Sequence, residues 1–317
     1  WIRMIHSYIV LFSLLPFGQS FSNLWYDWIQ KFPLSHFHYV PGLLFYILVI
    51  LFVIIPKKRK MACIALCILP WIQPYMDPFF HVYMIDIGQG DCTLILEPFH
   101  QSAVMIDCGQ SFYRDNVKEI IIPVLKDLQV KKLDALILTH SDFDHDGGAS
   151  ELEKSMPIKQ VIRSRDEIPK VKYPFFSLLP KRDASDTNDE SIVSYFSYDG
   201  FQYLWMGDAS MQVEQALMDQ YDLTVDVLKL GHHGSNTSSS MTFLDQLRPT
   251  VGLVSVGKKN HYGHPSSMVI SNCHTLGIHI FETRRHGMIH LFSFKGILCV
   301  ETATHLIGIV KTRIIKP

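Results

Sequence analysis

The segment that most constrains this chain is Thr139-His140-Ser141-Asp142-Phe143-Asp144-His145-Asp146-Gly147-Gly148, set directly after the apolar run 133–138. Carboxylates and imidazoles crowded at the end of a buried strand repel one another and resist leaving water. A divalent cation converts that crowding into binding energy. His140 and Asp142, two residues apart, share a face of the extended chain. Gly147 and Gly148 then let the backbone pass close behind the turn that Asp144 and His145 begin.

The companions of this segment repeat one design, an apolar strand that stops at a ligand-type residue. Residues 103–106 stop at Asp107, 201–206 at Gly207-Asp208, and 225–230 at Gly231-His232-His233-Gly234-Ser235, while 251–256 lead to His261 and His264. A single strand-end Asp is ordinarily a cap or turn former, but so many such ends in one chain are not explained by caps. Strands over 82–87, 93–97, 103–107, 133–139, 192–196, 201–206, 225–230, 251–256, 279–282 and 287–300 alternate with helical spacing over 116–128, 211–220, ahead of Pro249 and over 267–276. That alternation predicts α/β layering, in which ligand sites gather above the carboxyl ends of the strands. Asp199-Gly200 predicts a hairpin turn, and 181–190 is a polar loop.

Before residue 81 the texture is different. Residues 40–55 are almost unbroken apolar sequence, followed by Pro56, the basic cluster Lys57-Lys58-Arg59-Lys60 and a second apolar run over 61–71. With flanking residues each run approaches the length that crosses a bilayer. The basic cluster predicts a cytoplasmic turn between two spans, so that the chain beyond Pro78 emerges on the outer face. Residues 1–80 are therefore expected to be membrane-associated, with about two transmembrane helices, and 81–317 to form the chemical domain. The chain opens on Trp1 in mid-pattern and reads as the C-terminal portion of a longer protein.

The overall charge of −1 divides into +4 over residues 1–80 and −5 over 81–317. A mildly acidic domain exerts no general pull on nucleic acid, so any such partner must be held by local features. The six cysteines include no CxxC pair. Cys63 and Cys67 read as small apolar residues, and Cys92 and Cys108 would be able to bridge in an oxidising compartment if their strands are neighbours.

A strand-end Asp, HxxxDH, Gly-Asp and late histidines, in that order, resemble the metallo-β-lactamase superfamily. That resemblance implies a four-layer αββα sandwich holding one or two metal ions. More narrowly, Asp86-Ile-Gly-Gln-Gly-Asp91, His140-x-Asp142-x-Asp144-His145, Asn188-x-x-Ser191, Gly207-Asp208, Leu228-Lys-Leu-Gly-His-His-Gly-Ser235 with the serines 238–240, and Tyr262-Gly-His-Pro265 resemble the C-terminal domain of ComEC-type DNA-internalisation proteins. The expected fold is thus a metallo-β-lactamase sandwich preceded by α-helical transmembrane segments at the end of a competence membrane domain.

The resemblance implies a metal-dependent phosphodiesterase that degrades one strand of incoming DNA on the extracytoplasmic face of the cell membrane, alongside other DNA-uptake proteins. His140, Asp142, Asp144, His145, Asp208 and one of His232 and His233 are the expected ligands of two divalent ions, Mn²⁺ or Zn²⁺. Asp208 is the expected bridging carboxylate, and Asp144 also counts among the catalytic residues. Asp107 is expected to orient a ligand, with Asn188 and Ser191 in support, and His264 or His261 to donate a proton to the leaving oxygen. Ser235, Ser238 and Ser239, beside Lys229, read equally as phosphate donors or as a polar helix start. Asp142 stands where the superfamily has a second His. The superfamily's His between HxxxDH and Gly-Asp is missing, and Asp146 replaces an apolar residue. More oxygen ligands favour a harder ion such as Mn²⁺. Two other readings remain open: a metal-holding domain that only guides DNA to the pore, and a hydrolase of another small ester, since one fold hosts many substrates.

Overall fold

In the computed structural model, residues 73–178, 188–303 and 306–312 are described. The expected membrane spans and most of the polar loop 181–190 lie outside them. Among the described residues no helix is long and apolar enough to cross a membrane. Asp77–Pro317 forms one compact unit, close to the boundary that the change of texture suggests.

The unit is built on two sheets. The first has the order β14-β13-β12-β1-β2-β3-β4-β5, with β1 Phe80–Met84, β2 Thr93–Leu96, β3 Ala103–Ile106, β4 Ala135–Ile137, β5 Val161–Ile162, β12 Ile289–Phe294, β13 Ile297–Thr302 and β14 Leu306–Thr312. The second has the order β11-β10-β9-β8-β7-β6, with β6 Phe175–Leu178, β7 Val193–Tyr198, β8 Phe201–Trp205, β9 Val227–Lys229, β10 Val251–Val254 and β11 His279–Glu282. Within the sheets β3, β4 and β5 are parallel, as are β8 through β11, and the remaining pairs are antiparallel.

Alternation of side chains along each strand sorts the core into three layers. Phe80, Val82 and Ile95 of the first sheet pack against Phe196, Tyr203 and Trp205 of the second. Trp205 Nε1 also donates to Thr93 Oγ1 across this layer at 2.9 Å. The outer face of the first sheet, including Leu94, Met105 and Leu136, packs under Val117, Ile121 and Leu125, the last in α1 Ile122–Asp127. The outer face of the second, including Leu204 and Leu228, packs under α4 Met211–Gln220, α5 Met241–Leu247 and α6 Ser267–Thr275. This is the expected αββα layering.

The structure differs from the sequence reading at several elements. The strand expected over 287–300 is a hairpin, because Lys295 and Gly296 take left-handed φ values of 50° and 76°; that turn reverses β12 into β13. Asp199 and Gly200 do the same between β7 and β8, as expected. The helix expected over 116–128 opens with a wide turn, Val117–Ile121. Pro123 has no N–H to return to the preceding turn, so regular helix spacing is interrupted there. The four described cysteines, Cys92, Cys108, Cys273 and Cys299, are free. The Cys92–Cys108 bridge considered from sequence is therefore not formed, and burial pushes both thiols up in pKa.

Candidate metal centre

The carboxyl ends of β3, β4, β8, β9 and β10 open at one edge, and the polar residues beyond them converge there. Two short helices, α2 Phe143–Asp146 and α3 Ala149–Ser155, follow β4. The α2 turn is pressed against glycines. Asp91 N–H donates to the Asp144 carbonyl at 2.9 Å. A Cβ on Gly109 would lie 1.9 Å from that same oxygen, and one on Gly90 2.4 Å from it. Backbone cannot yield as a flexible side chain does, so Gly109→Ala is expected to cost about 2 kcal/mol or more, read as a lower denaturation midpoint, and to displace Asp144.

His145 is buried at the centre of the wall. Its Nδ1–H donates to Asp107 Oδ2 at 2.9 Å, and Thr139 donates to both oxygens of Asp107 through its N–H and its hydroxyl, each at 2.8 Å. The outer nitrogen, Nε2, is thereby aimed at Asp208, whose Oδ1 lies 3.2 Å away. Neither atom makes a directed hydrogen bond. Asp208 is fixed by its own N–H, which donates to Ser191 Oγ at 3.0 Å. Gly207 precedes it at φ +57° because a Cβ there would meet Ser191 at 2.9 Å. Ser191 Oγ also stands 3.4 Å from His140 Nδ1, and the Asn188 carbonyl accepts from Ser191 N–H.

The loop after β9 carries His232 and His233 at successive left-handed φ values of 46° and 52° between Gly231 and Gly234. A turn that residues with a Cβ rarely adopt is held here by its surroundings. His233 is buried, donates Nδ1–H to the Ser255 carbonyl at 2.9 Å, and directs Nε2 to within 3.3 Å of Asp144 and 3.6 Å of Asp208. His232 sits nearer the rim, with Nε2 3.8 Å from Asp208. Its ring is 5.6 Å from that of His264, whereas His261 is exposed. Asp142 is also at the rim, 3.6 Å from His140 Nε2.

Four overlapping groups of potential ligands have their donor atoms within 4.8 Å of one another: His140, His145 and Asp208; Asp144, His145 and His233; Asp91, Asp208 and His233; Asp91, Asp107 and His145. Asp91 Oδ1, His140 Nε2, His145 Nε2, Asp208 Oδ1 and His233 Nε2 are all buried with no hydrogen-bond partner. Buried polar atoms are ordinarily satisfied, and five orphaned donor atoms turned toward one small volume fit a divalent cation.

The electrostatics agree. Burial disfavours charge on His145, but the carboxylates of Asp208 and Asp107 outweigh it and hold the imidazole well above its ordinary pKa. His233, likewise buried, is pushed up to about 10 by Asp208, Asp144 and Asp91. Asp208 is buried too, yet His145, His233 and Lys229 keep it well below the carboxylate range. Protons here occupy positions that suit a cation.

Asp91 closes the 86–91 motif, yet nothing in the sequence assigns it a role. It follows a turn instead of closing an apolar strand, so the strand-end pattern does not mark it. Lys229, expected to meet phosphate, is buried instead. Its ammonium pairs with Asp91, donates to the Gly207 carbonyl at 3.0 Å and lies 3.8 Å from Asp208. The serines also resolve toward architecture. Ser238 and Ser239 are buried, and Ser238 Oγ donates to the Gly231 carbonyl at 2.6 Å. Glu214 of α4 accepts from the N–H groups of Ser239 and Ser240, and Ser240 caps α5 by accepting from Phe243 N–H. Ser235 Oγ accepts from Thr237. Ser238, Ser239 and Lys229 are buried, which favours a role in the architecture over contact with phosphate.

Residues 85–187 match the family model of the metallo-beta-lactamase superfamily. ComE operon protein 3 of Bacillus subtilis is 29% identical, over 87% of this chain and 44% of its own length. Competence protein ComA of Neisseria gonorrhoeae is 32% identical, over 56% of this chain and 28% of its own. The chain thus spans less than half the length of these curated relatives. Among solved structures, the metallo-beta-lactamase fold protein YhfI of Bacillus subtilis aligns with 65% of this chain and 96% of its own at 11% identity and a TM-score of 0.43. By sequence the chain is thus similar to ComEC-type competence proteins, and its residues 85–187 match the metallo-beta-lactamase superfamily.

Proposed function

We propose that the domain beyond residue 80 is a metal-dependent phosphodiesterase that cuts DNA, and that it serves DNA uptake from the extracytoplasmic face of the cell membrane together with other competence proteins. The observation that carries the reading is the set of five buried, unpartnered donor atoms converging on one volume. His140, His145 and Asp208 would hold one divalent ion, and Asp144 and His233 would help to hold a second; Asp142 and His232 border the opening. Bound ions lower the pKa of water and stabilise charge on an attacked phosphate.

The chain's own groups supply the rest. Asp107 keeps His145 in the tautomer whose Nε2 faces inward. The Ser255 carbonyl does the same for His233. Asp91 and Lys229 form the closed, charged back wall. Burial, together with His232 and His233, holds His264 below the ordinary imidazole pKa. The neutral ring is thereby favoured, so that His264 accepts a proton more readily than it supplies one to the leaving oxygen. Mn²⁺ or Zn²⁺ suits a mixed set of imidazoles and carboxylates.

The chain in detergent with Mn²⁺ should cut single-stranded DNA, and Asp144→Ala should not. Cutting that survives EDTA unchanged would exclude the metal mechanism.

Cation binding should also depend on pH, because His145 and His233 must each lose a proton to become ligands. With His233 held at about 10, the apparent Mn²⁺ affinity should rise from pH 7 toward pH 10, by about tenfold per unit for each proton displaced. Calorimetry in buffers of different ionisation heat counts those protons. A folded pKa raised above the unfolded value stabilises the metal-free protein fully below about 6.5, and that contribution is lost as pH rises through about 10.

A further inference from the structure

Large aromatic side chains lie bare beside the metal-binding wall. Tyr113 is 93% exposed, Phe112 86% and Tyr262 72%. Phe143 is part of the ligand segment itself, between Asp142 and Asp144, and its ring stacks on Phe112 at 4.5 Å between centroids and an interplanar angle of 19°. On the other side Tyr262 stacks on His264 at 5.8 Å and 11°, and His264 leads to His232. Phe112 and Tyr262 are thus each stacked on a residue that borders the proposed site, and Tyr113 follows Phe112 in the chain.

The two sets meet across one turn. A Cβ on Gly88 would lie 3.3 Å from Arg114 Nη2, and one on Gly257 would lie 3.3 Å from the carbonyl carbon of Gly88. Asp86, just before that turn, is raised in pKa by burial while Arg114 and Lys258 both pull it back. The basic residue after Phe112-Tyr113 and the one after Gly257 therefore flank the same edge, and Arg114 and Lys258 are both exposed.

We infer that the loops carrying Phe112-Tyr113-Arg114 and Lys258–Tyr262 form a cradle for unpaired nucleotides, which rests on the phosphodiesterase reading and names the side chains that hold its strand. Rings stack on the faces of exposed bases whatever their sequence, and the cations follow the phosphates. A duplex keeps its base faces stacked inside and gains nothing from the rings.

The test is fluorescence anisotropy of the whole chain in detergent with EDTA, so that binding is read without cutting. The probes are a labelled oligothymidylate, the same backbone without bases, its duplex, and vesicles containing phosphatidylglycerol. Phe112→Ala, Tyr113→Ala and Tyr262→Ala should each weaken oligothymidylate binding about 5- to 100-fold and leave the abasic strand within about twofold. Tyr113→Phe and Tyr262→Phe should bind as the wild type does, because the ring is kept. Lys258→Ala should weaken both strands alike. Alanine variants that bind oligothymidylate as tightly as the wild type would overturn the cradle, and so would rings that bind vesicles while no strand binds. Hydrolysis of bis(p-nitrophenyl) phosphate with Mn²⁺ is scored separately. If it is absent while the aromatic effect persists, the cradle stands and the phosphodiesterase reading falls.

Discussion

Asp208→Asn should lower metal-dependent DNA cleavage by about 10³-fold or more and remove at least one bound ion. Asp208 is the carboxylate that joins the group of His140 and His145 to that of Asp91 and His233. It stands 3.2 Å from His145 Nε2 and 3.6 Å from His233 Nε2, and its backbone is held by Ser191. Losing one carboxylate oxygen of a shared ligand forfeits several kcal/mol of charge stabilisation, which at 1.36 kcal/mol per decade corresponds to about three decades of rate. Asn keeps the size and the N–H contact to Ser191, so the fold should survive, and in a metal-free preparation its midpoint serves as the control. Asp107→Asn should act more mildly, because Asp107 works through His145. A loss of about 10- to 100-fold in metal affinity is expected, with a smaller loss in rate at saturating Mn²⁺. If Asp208→Asn cuts DNA as the wild type does, the convergence at this residue has no chemical role.

Lys229→Met should be the most damaging substitution for the fold itself. Lys229 is buried, and its charge answers Asp91, with Asp208 3.8 Å away. Removing one member of a buried pair strands the other, at a cost of about 3–5 kcal/mol. For a unit of this size that is a fall of roughly 6–20 °C in Tm. The pH dependence carries a definite sign. Despite burial, Lys229 and the nearby histidines hold Asp91 well below the carboxylate range, so the wild type gains stability from it above about pH 4 and loses that gain in acid. The variant should therefore lose its deficit as Asp91 takes up a proton, and the two unfolding curves should converge at low pH. A variant as stable as the wild type at pH 7 would show that the pair contributes nothing there. Met is chosen because its length fills the space that the Lys stem leaves.

The burial of Lys229 is not legible in the sequence, whereas the positions of Asp208 and His233 at strand ends are, and strand geometry is the reason. An apolar run that stops at a polar residue reports where a strand leaves the core, and Asp107, His140, Asp208 and the histidine pair all follow such runs. Lys229 lies inside β9, two residues after Val227, so both point to the inter-sheet side. A Lys on that face must be paired within the fold, and no surface role is open to it. Asp91 was obscured for the opposite reason. It lies in the approach to β2, where Gly88 and Gly90 read only as a turn, and its role depends on Asp144 and Lys229 arriving from distant parts of the chain.

The serine run was ambiguous by nature, since a polar helix start and a phosphate-binding loop use the same residues. The buried Glu214 favours the helix start, because it accepts from the N–H groups of Ser239 and Ser240, 25 and 26 residues away. The layering was readable because each sheet has one face for the other sheet and one for helices. The β12–β13 reversal at Lys295-Gly296 was not, because a Lys ahead of the Gly lacks the Asn or Asp that usually announces such a turn.

Anomalous scattering from crystals soaked in Mn²⁺ addresses the shared cation directly. Manganese should lie within coordination distance of Asp208 together with His145 or His233, and should vanish from Asp208→Asn crystals. Manganese bound only elsewhere at millimolar concentration, with Asp208, His145 and His233 left to one another, would contradict it.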